Sequence, residues 1–238
     1  MTEARSRPRA DVDGVRARPH LDRAGIIDAA LRLAQRPSAD ALSFRKLGAE
    51  LGADPTAIYR HFADRDALMR AIIDRLLAEV DAEIPPQAPW DDRLRQSAMA
   101  TLRQARRYPA VGLELAQHTT GGPGERLSIE IELRAWRDAG LGDADVVRFY
   151  AVFSGYVLSA AASVAGHVIG LADTSVESDS SWVGDLADVD AERYPMVMRY
   201  REPLAALEVD DTYAAGVELF IDAARALVRS VPAPRAAR

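Results

Sequence analysis

The chain has 238 residues, enough for one large or two modest domains with cores of their own. It contains no cysteine, which excludes a disulfide framework and any thiolate metal centre. The formal net charge of −6 speaks against non-specific wrapping of nucleic acid, but its distribution matters more: residues 1–84 hold 14 basic and 14 acidic side chains, and residues 85–238 hold 16 against 22.

Residues 1–20 place Arg5, Arg7, Arg9, Arg16 and Arg18 among Pro8, Gly14 and Pro19, with almost nothing apolar. Such a segment cannot bury enough surface to order itself, so a disordered basic tail is expected. A basic arm that reaches into a DNA minor groove is the alternative reading. The segment lacks the apolar core of a signal peptide.

Order begins at about residue 21. Asp22–Ala34 repeats Ile26, Ile27, Ala30, Leu31 and Ala34 at helical spacing, and Pro37 ends that helix. Ser43–Phe62 then reads as two short helices joined by a tight turn. Ser43 caps the first, which carries Phe44, Leu47 and Leu51 on one face, and Gly52 closes it in a left-handed conformation. Asp54-Pro55 starts the second, whose Ile58 and Phe62 turn inward while Thr56, Ala57 and Arg60 turn outward, with Tyr59 and His61 on the flanks. A third, longer helix is capped by Asp64 and runs through Leu68, Ile72 and Leu76. This is a helix-turn-helix pattern, whose second helix is of the kind that enters a major groove. A plain helical hairpin has the same spacing. The outward face, with its hydroxyl, phenol, guanidinium and imidazole groups and no Glu/Lys ladder, favours the DNA-binding reading.

The stretches IIDAALRLA, LSFRKLGAELG and TAIYRHFADRDAL resemble the DNA-binding domain of the TetR (tetracycline repressor) family of bacterial regulators, over roughly Leu21 to Ile84. The turn at Arg36–Asp40 departs from the glycine-bearing turn usual there. The resemblance, with the outward face, implies base or phosphate contacts from Pro55, Thr56, Ala57, Tyr59 and Arg60. Ser43, Arg45, Lys46, His61 and Arg65 are then expected on the DNA backbone.

Pro85, Pro86 and Pro89 end the long helix and mark a domain boundary, dividing a DNA-binding domain at 21–84 from a second domain at 90–230. Helical spacing continues over Trp90–Arg107 (Leu94, Ala98, Thr101, Leu102, Ala105), Ala110–Gln117 and Glu125–Ala139 (Leu127, Ile131, Trp136). The stretch from His118 to Gly124 is a loop. Asp145–Ile169 is apolar nearly all round but interrupted by Arg148, Ser154, Ser159 and His167, so no run is expected to span a membrane. Residues 173–190 read as an acidic, Ser-rich loop in which Trp182 and Val183 stand out. Helices at Tyr194–Leu207 and Thr212–Val228 follow, then a frayed end with Pro232 and Pro234. With no strand pattern, the expectation is an all-α fold: a three-helix helix-turn-helix domain followed by a helical ligand-binding and dimerisation domain.

The helix order from Trp90 onward also resembles, more loosely, the C-terminal domain of tetracycline-repressor relatives, which implies a homodimer and a central small-molecule pocket. Asp145–Ile169 and Thr212–Val228 are expected to form the dimer interface, because a helix apolar all round needs burial on several sides. Pocket candidates are Ser97, Met99, Thr101, Arg103, Gln117, His118, Glu132, Trp136, Phe149 and Phe153, with Tyr150 and Tyr156 close by in sequence. These suggest a hydrophobic or aromatic organic effector. His118 stands where tetracycline repressors place a magnesium-ligating histidine, but the accompanying drug-contact positions lack the family's amide and phenyl groups, so neither a metal nor a cofactor is expected. Ser154-Gly155 lacks a nucleophile elbow, and Glu130 and Glu132 do not face one another, so no enzyme is expected. The whole reads as a cytoplasmic, nucleoid-associated bacterial regulator of operator DNA, released by a small molecule. A helical protein–protein adaptor without DNA binding is the rival.

Overall fold

The structure is a computed structural model that describes residues 21–170, 186 and 189–230. The basic tail at 1–20, most of the 173–190 segment including Trp182 and Val183, and the last eight residues lie outside the described residues. The described chain is all-α.

The head is built from local capping. Helix α1 (Arg23–Ala34) starts where the Asp22 carboxylate accepts from the Gly25 amide at 2.7 Å. In α2 (Phe44–Leu51) the Ser43 hydroxyl takes the Lys46 amide, and Gly52 ends the helix at φ 60°. Asp54 caps α3 (Pro55–Ile58), which is shorter than the expected run to Phe62: after Ile58 the chain continues only as a turn, held by Phe62 N–H donating to the Ile58 carbonyl at 3.0 Å. Asp64 caps α4 (Arg65–Ala82). Ile26, Leu33, Leu47, Ile58, Phe62, Leu68 and Ile72 close the core beneath these helices. A β-carbon at Gly48 would sit 2.8 Å from the Ala53 carbonyl oxygen, so glycine is what lets the α2–α3 turn fold back so tightly.

The core domain contains α5 (Trp90–Arg107), α6 (Pro109–Gly112), a single 3₁₀ turn at Leu115–Gln117, α7 (Pro123–Asp138), α8 (Asp143–Ile169), α9 (Pro195–Ala205) and α10 (Val209–Ser230). The helix expected over Ala110–Gln117 is thus two separate turns. Helix α4 serves both halves, packing on α1 in the head and lying along α7 in the core, and head and core share one continuous apolar cluster. The attachment is specific. Asp74 of α4 accepts the Glu125 amide at 3.0 Å and the Thr120 hydroxyl at 2.9 Å, so α4 supplies the missing cap of α7. A β-carbon at Gly124 would lie 2.1 Å from the Asp74 carbonyl oxygen, which allows the two helices to touch backbone to backbone.

Two expectations change in the core. Helix α7 buries Gly124, Glu132, Ala135 and Trp136, not the expected Leu127 and Ile131; Leu127 is 48% exposed. The clamp at Gly124 fixes the rotation of α7 and turns a carboxylate inward. Helix α8 is an unbroken 27-residue helix that is, by length and composition, apolar enough to cross a membrane. It packs on α5, α6, α7 and α10. One stripe (Val146, Phe153, Val157, Ala161, Val164, Ala165) is buried, whereas Val147, Val152 and Val168 face outward. Tyr156 of α8 donates to the Tyr213 carbonyl at 2.9 Å, and Tyr213 donates to the Ala98 carbonyl at 2.8 Å, so α8, α10 and α5 are tied in series.

Candidate functional site

The outward face of the helix-turn-helix is built on buried Ile58 and Phe62, which leave Thr56, Tyr59 and Arg60 exposed and Ala57 partly so. Tyr59 is 56% exposed, yet its ring is held edge-on against Phe44 with centroids 4.5 Å apart, so its phenol projects from a fixed base. Asp54 accepts both the amide and the hydroxyl of Thr56, at 2.8 and 2.7 Å, which fixes the hydroxyl at the start of α3 and holds the Asp54 carboxyl below the usual range.

The four expected cationic contacts separate into two kinds. Arg45 and Arg60 are exposed and make no hydrogen bond or ion pair with any described residue. Lys46 instead donates to the Asp40 carbonyl at 2.7 Å and to its carboxylate at 2.8 Å. Arg65, at the start of α4, forms a two-pronged pair with Glu114 of the core, one prong at 3.1 Å. Ser43 uses its hydroxyl as the α2 cap, and the His61 carbonyl accepts from Arg23, whose guanidinium lies 4.2 Å over the Phe62 ring. Pro55 occupies the first position of α3.

A second feature lies between α4, α5, α7 and α8, where there is a partly open cavity of about 70 Å³. Ser97, Thr101, His118 and Glu132 line it, together with Tyr150, Ser154, Glu125 and Ser128 and the apolar Ile73, Leu77, Val157 and Leu158. The other pocket candidates lie elsewhere. Trp136 and Phe153 are fully buried in an aromatic stack with Trp90, Phe149 and Phe220, at centroid spacings of 5.2 to 6.1 Å. Tyr156 joins the stack at its Phe220 end. Arg103 is paired with Glu83 at the surface, Gln117 donates to the Leu113 carbonyl, and Met99 packs at the edge of the apolar core.

The electrostatics of the cavity wall are acidic. Glu132 is 7% exposed, and its carboxylate accepts from the Ser154 hydroxyl at 2.6 Å. Burial, with Asp81 close enough to add its charge, pushes the Glu132 carboxyl up to about 7. Asp81 is 5% exposed and neither of its oxygens has a hydrogen-bond partner among the described residues; burial lifts it to about 6, against the lowering effect of nearby Ser128. The Tyr150 phenol is raised by burial and by the charges of Glu132 and Glu125. His118 stands 3.0 Å from Glu114, the same carboxylate that Arg65 grips. Burial alone would raise Glu114, but Arg65 and His118 outweigh it and hold the carboxyl below its ordinary value. The cavity wall and the first turn of α4 are therefore joined by one chain of side chains, His118–Glu114–Arg65.

Sequence reasoning missed Glu114, Asp74 and Asp81. Glu114 carried one local signal, its i,i+4 spacing from His118. Asp74 and Asp81 sit among ordinary helical acids, and only tertiary packing distinguishes them.

Two family models match the chain. Residues 26–72 match the family model described as bacterial regulatory proteins, tetR family, and residues 84–228 match the tetracyclin repressor-like C-terminal domain. The class D tetracycline repressor protein of Escherichia coli is 27% identical over 211 residues, covering 88% of each chain. An HTH-type transcriptional regulator of Saccharopolyspora erythraea is 30% identical over 168 residues, covering 70% of this chain and 64% of its own. Among solved structures, the transcriptional regulator SCO7222, a TetR from Streptomyces coelicolor, superposes with a TM-score of 0.68 at 22% identity, covering 88% of this chain and 100% of that one, which shows a shared fold.

Proposed function

The chain belongs to the TetR family of bacterial regulatory proteins, a DNA-binding regulator and not an enzyme, and from that premise we propose that it is a homodimeric repressor whose grip on its operator is released by a small molecule in the core cavity. The observation that carries the DNA half of this reading is the pair of exposed arginines, Arg45 and Arg60, which have no partner among the described residues and stand beside the buttressed Tyr59. A guanidinium without a carboxylate partner is free to meet phosphate or a guanine edge, whereas Lys46 would first have to leave Asp40.

Dimerisation is supported by what α8 and α10 leave uncovered. Val147 and Val152 on α8 and Leu219 on α10 are 61, 49 and 71% exposed. Gly155 between them meets no neighbouring atom, so a second helix could approach closely there. A partner copy that covered this face would remove a large apolar area from water, the dominant favourable term in association. The proposed interface is therefore α8 with α10, which includes the Asp145–Ile169 and Thr212–Val228 stretches read from sequence.

Control of DNA binding is supported by the sharing of α4. A guest of drug size needs some 300 Å³ or more, so the 70 Å³ cavity would have to open by moving α4 against α7 and α8. Such movement would act on the head through the Arg65–Glu114 pair and the shared apolar cluster. A ligand that fits only the opened state would shift the population away from DNA binding. As a test, footprinting on the DNA that flanks the coding region should reveal two protected half-sites whose centres lie about 10 bp or a multiple apart. No protected site at protein concentrations that saturate non-specific DNA would reject the proposal.

A further inference from the structure

We propose that the core cavity takes an organic cation, a lipophilic amine whose ammonium group sits against Glu132 while its body lies among Ile73, Leu77, Val157 and Leu158. This rests on the reading of that cavity as the effector site and adds the charge of the effector to it. Trp136, Phe149 and Phe153, which would have suggested a neutral polycyclic guest, are packed against one another outside the cavity, and Tyr150 is the one aromatic side chain in its wall among the described residues. What the cavity offers instead is carboxylate. Glu132 lines it at 7% exposure with one oxygen held by Ser154, and its other oxygen has no partner among the described residues. Glu125 is in the same wall, and Asp81 stands behind Glu132 with both oxygens unpartnered.

Among the described residues no arginine or lysine lines the cavity. The nearby cation on the His118 side, Arg65, is already gripped by Glu114, and Arg93, which shares a separate surface pocket with Asp81, pairs its terminal nitrogen with Asp138. A buried carboxylate without a counter-ion is unfavourable, and an incoming ammonium relieves it with a charge-assisted hydrogen bond. A neutral guest leaves that group as it was, and an anionic guest adds like charge. The groups that face Glu132 are Asp81 from α4, Ser154 and Tyr150 from α8, and Glu125 from its own helix, and His118 closes the far side of the same cavity. The charge of the site is thus set by carboxylates from α4 and α7, while α5 adds only the neutral hydroxyls of Ser97 and Thr101. Burial also brings the Glu132 carboxyl to about 7, so the preference for a cation should strengthen as pH rises through neutrality.

The test uses the full-length protein and two near-isosteric probes: 1-naphthylmethylamine, a cation at neutral pH, and 1-naphthalenemethanol, which is neutral. Titration calorimetry at about pH 8 should give the amine at least a tenfold lower Kd than the alcohol. In Glu132→Gln that ratio should fall to near one. For the wild type the ratio should also shrink between about pH 8 and about pH 5.5, a comparison that needs no variant. Equal binding of the two probes, no amine binding up to ~1 mM, or an unchanged ratio in Glu132→Gln would overturn the proposal. If the alcohol, and not the amine, both binds and releases the footprinted operator, the effector-site reading stands and only the cation assignment falls. If neither binds and operator occupancy is insensitive to both, the cavity loses its regulatory role as well.

Discussion

The Glu132→Gln substitution should change the pH dependence of stability in a way that the geometry specifies. The folded protein holds this carboxyl at about 7 against a reference of 4.5, so between those values the native state keeps a proton that the unfolded chain has released. Stability is therefore fully present below about 4.5 and is lost as pH rises towards 7. The interval of about 2.5 units, at about 1.4 kcal/mol per unit, corresponds to a loss on the order of 3 kcal/mol. For a chain of this size that is about 10 °C in Tm. The glutamine side chain is nearly isosteric with the protonated acid and can still accept from Ser154, so the variant should match the wild type at about pH 5 and exceed it by several degrees at about pH 8. Asp81, also raised by burial, adds a residual slope of the same sign in both proteins. Carboxyls held low by their partners, such as Asp54 and Glu114, act in the opposite direction below about pH 4.5 and so do not interfere. Differential scanning fluorimetry across this range is sufficient. Parallel Tm–pH curves for the two proteins would refute the assignment of Glu132 as a buried, unpaired acid.

Arg45→Ala should weaken binding to all DNA sequences and lower the slope of log K against log[salt] by about 1, whereas Arg60→Ala or a larger residue at Ala57 should change which sequence is preferred; anisotropy titrations at several salt concentrations separate the two. Leu219→Arg, on a side chain 71% exposed within one subunit, should leave the helical signal intact and shift sedimentation from dimer to monomer at micromolar concentration; an unchanged dimer would move the interface elsewhere. Gly124→Ala should destabilise the protein by about 2 kcal/mol in urea unfolding, because its methyl group would meet the α4 backbone at Asp74, and a neutral effect would mean that α4 and α7 are not clamped there.

What the sequence disclosed was governed by local chemistry. Ser43, Asp54 and Asp64 each cap the helix that follows, and Gly52 ends α2, because these bonds span at most three residues. The stripe Leu94, Ala98, Thr101, Leu102 and Ala105 is likewise the buried face of α5. Long-range packing overrode the local pattern at α7, where Leu127 and Ile131 looked like the inner face. There the Asp74 cap and the Gly124 contact rotate Glu132 inward, and neither partner is near α7 in sequence. For the same reason the pocket was only half legible. Ser97, Thr101, His118 and Glu132 come together around one cavity, whereas Trp136, Phe149 and Phe153 pack on each other, a choice that composition cannot decide. Arg65 had the right charge for DNA, but only the fold reveals that Glu114 faces it.

The central claim, a sequence-reading repressor that works through α3 and its flanking arginines, is tested most directly by competition. A fragment that carries the footprinted operator is bound by the wild-type protein and challenged with a scrambled fragment of equal length and composition. The account predicts that on the order of 1,000-fold excess of the scrambled DNA is needed to displace half of the operator, and that Arg60→Ala reduces this excess by at least tenfold while the protein stays folded and dimeric. Displacement of operator at equal concentrations of scrambled DNA, in wild type and variant alike, would contradict it.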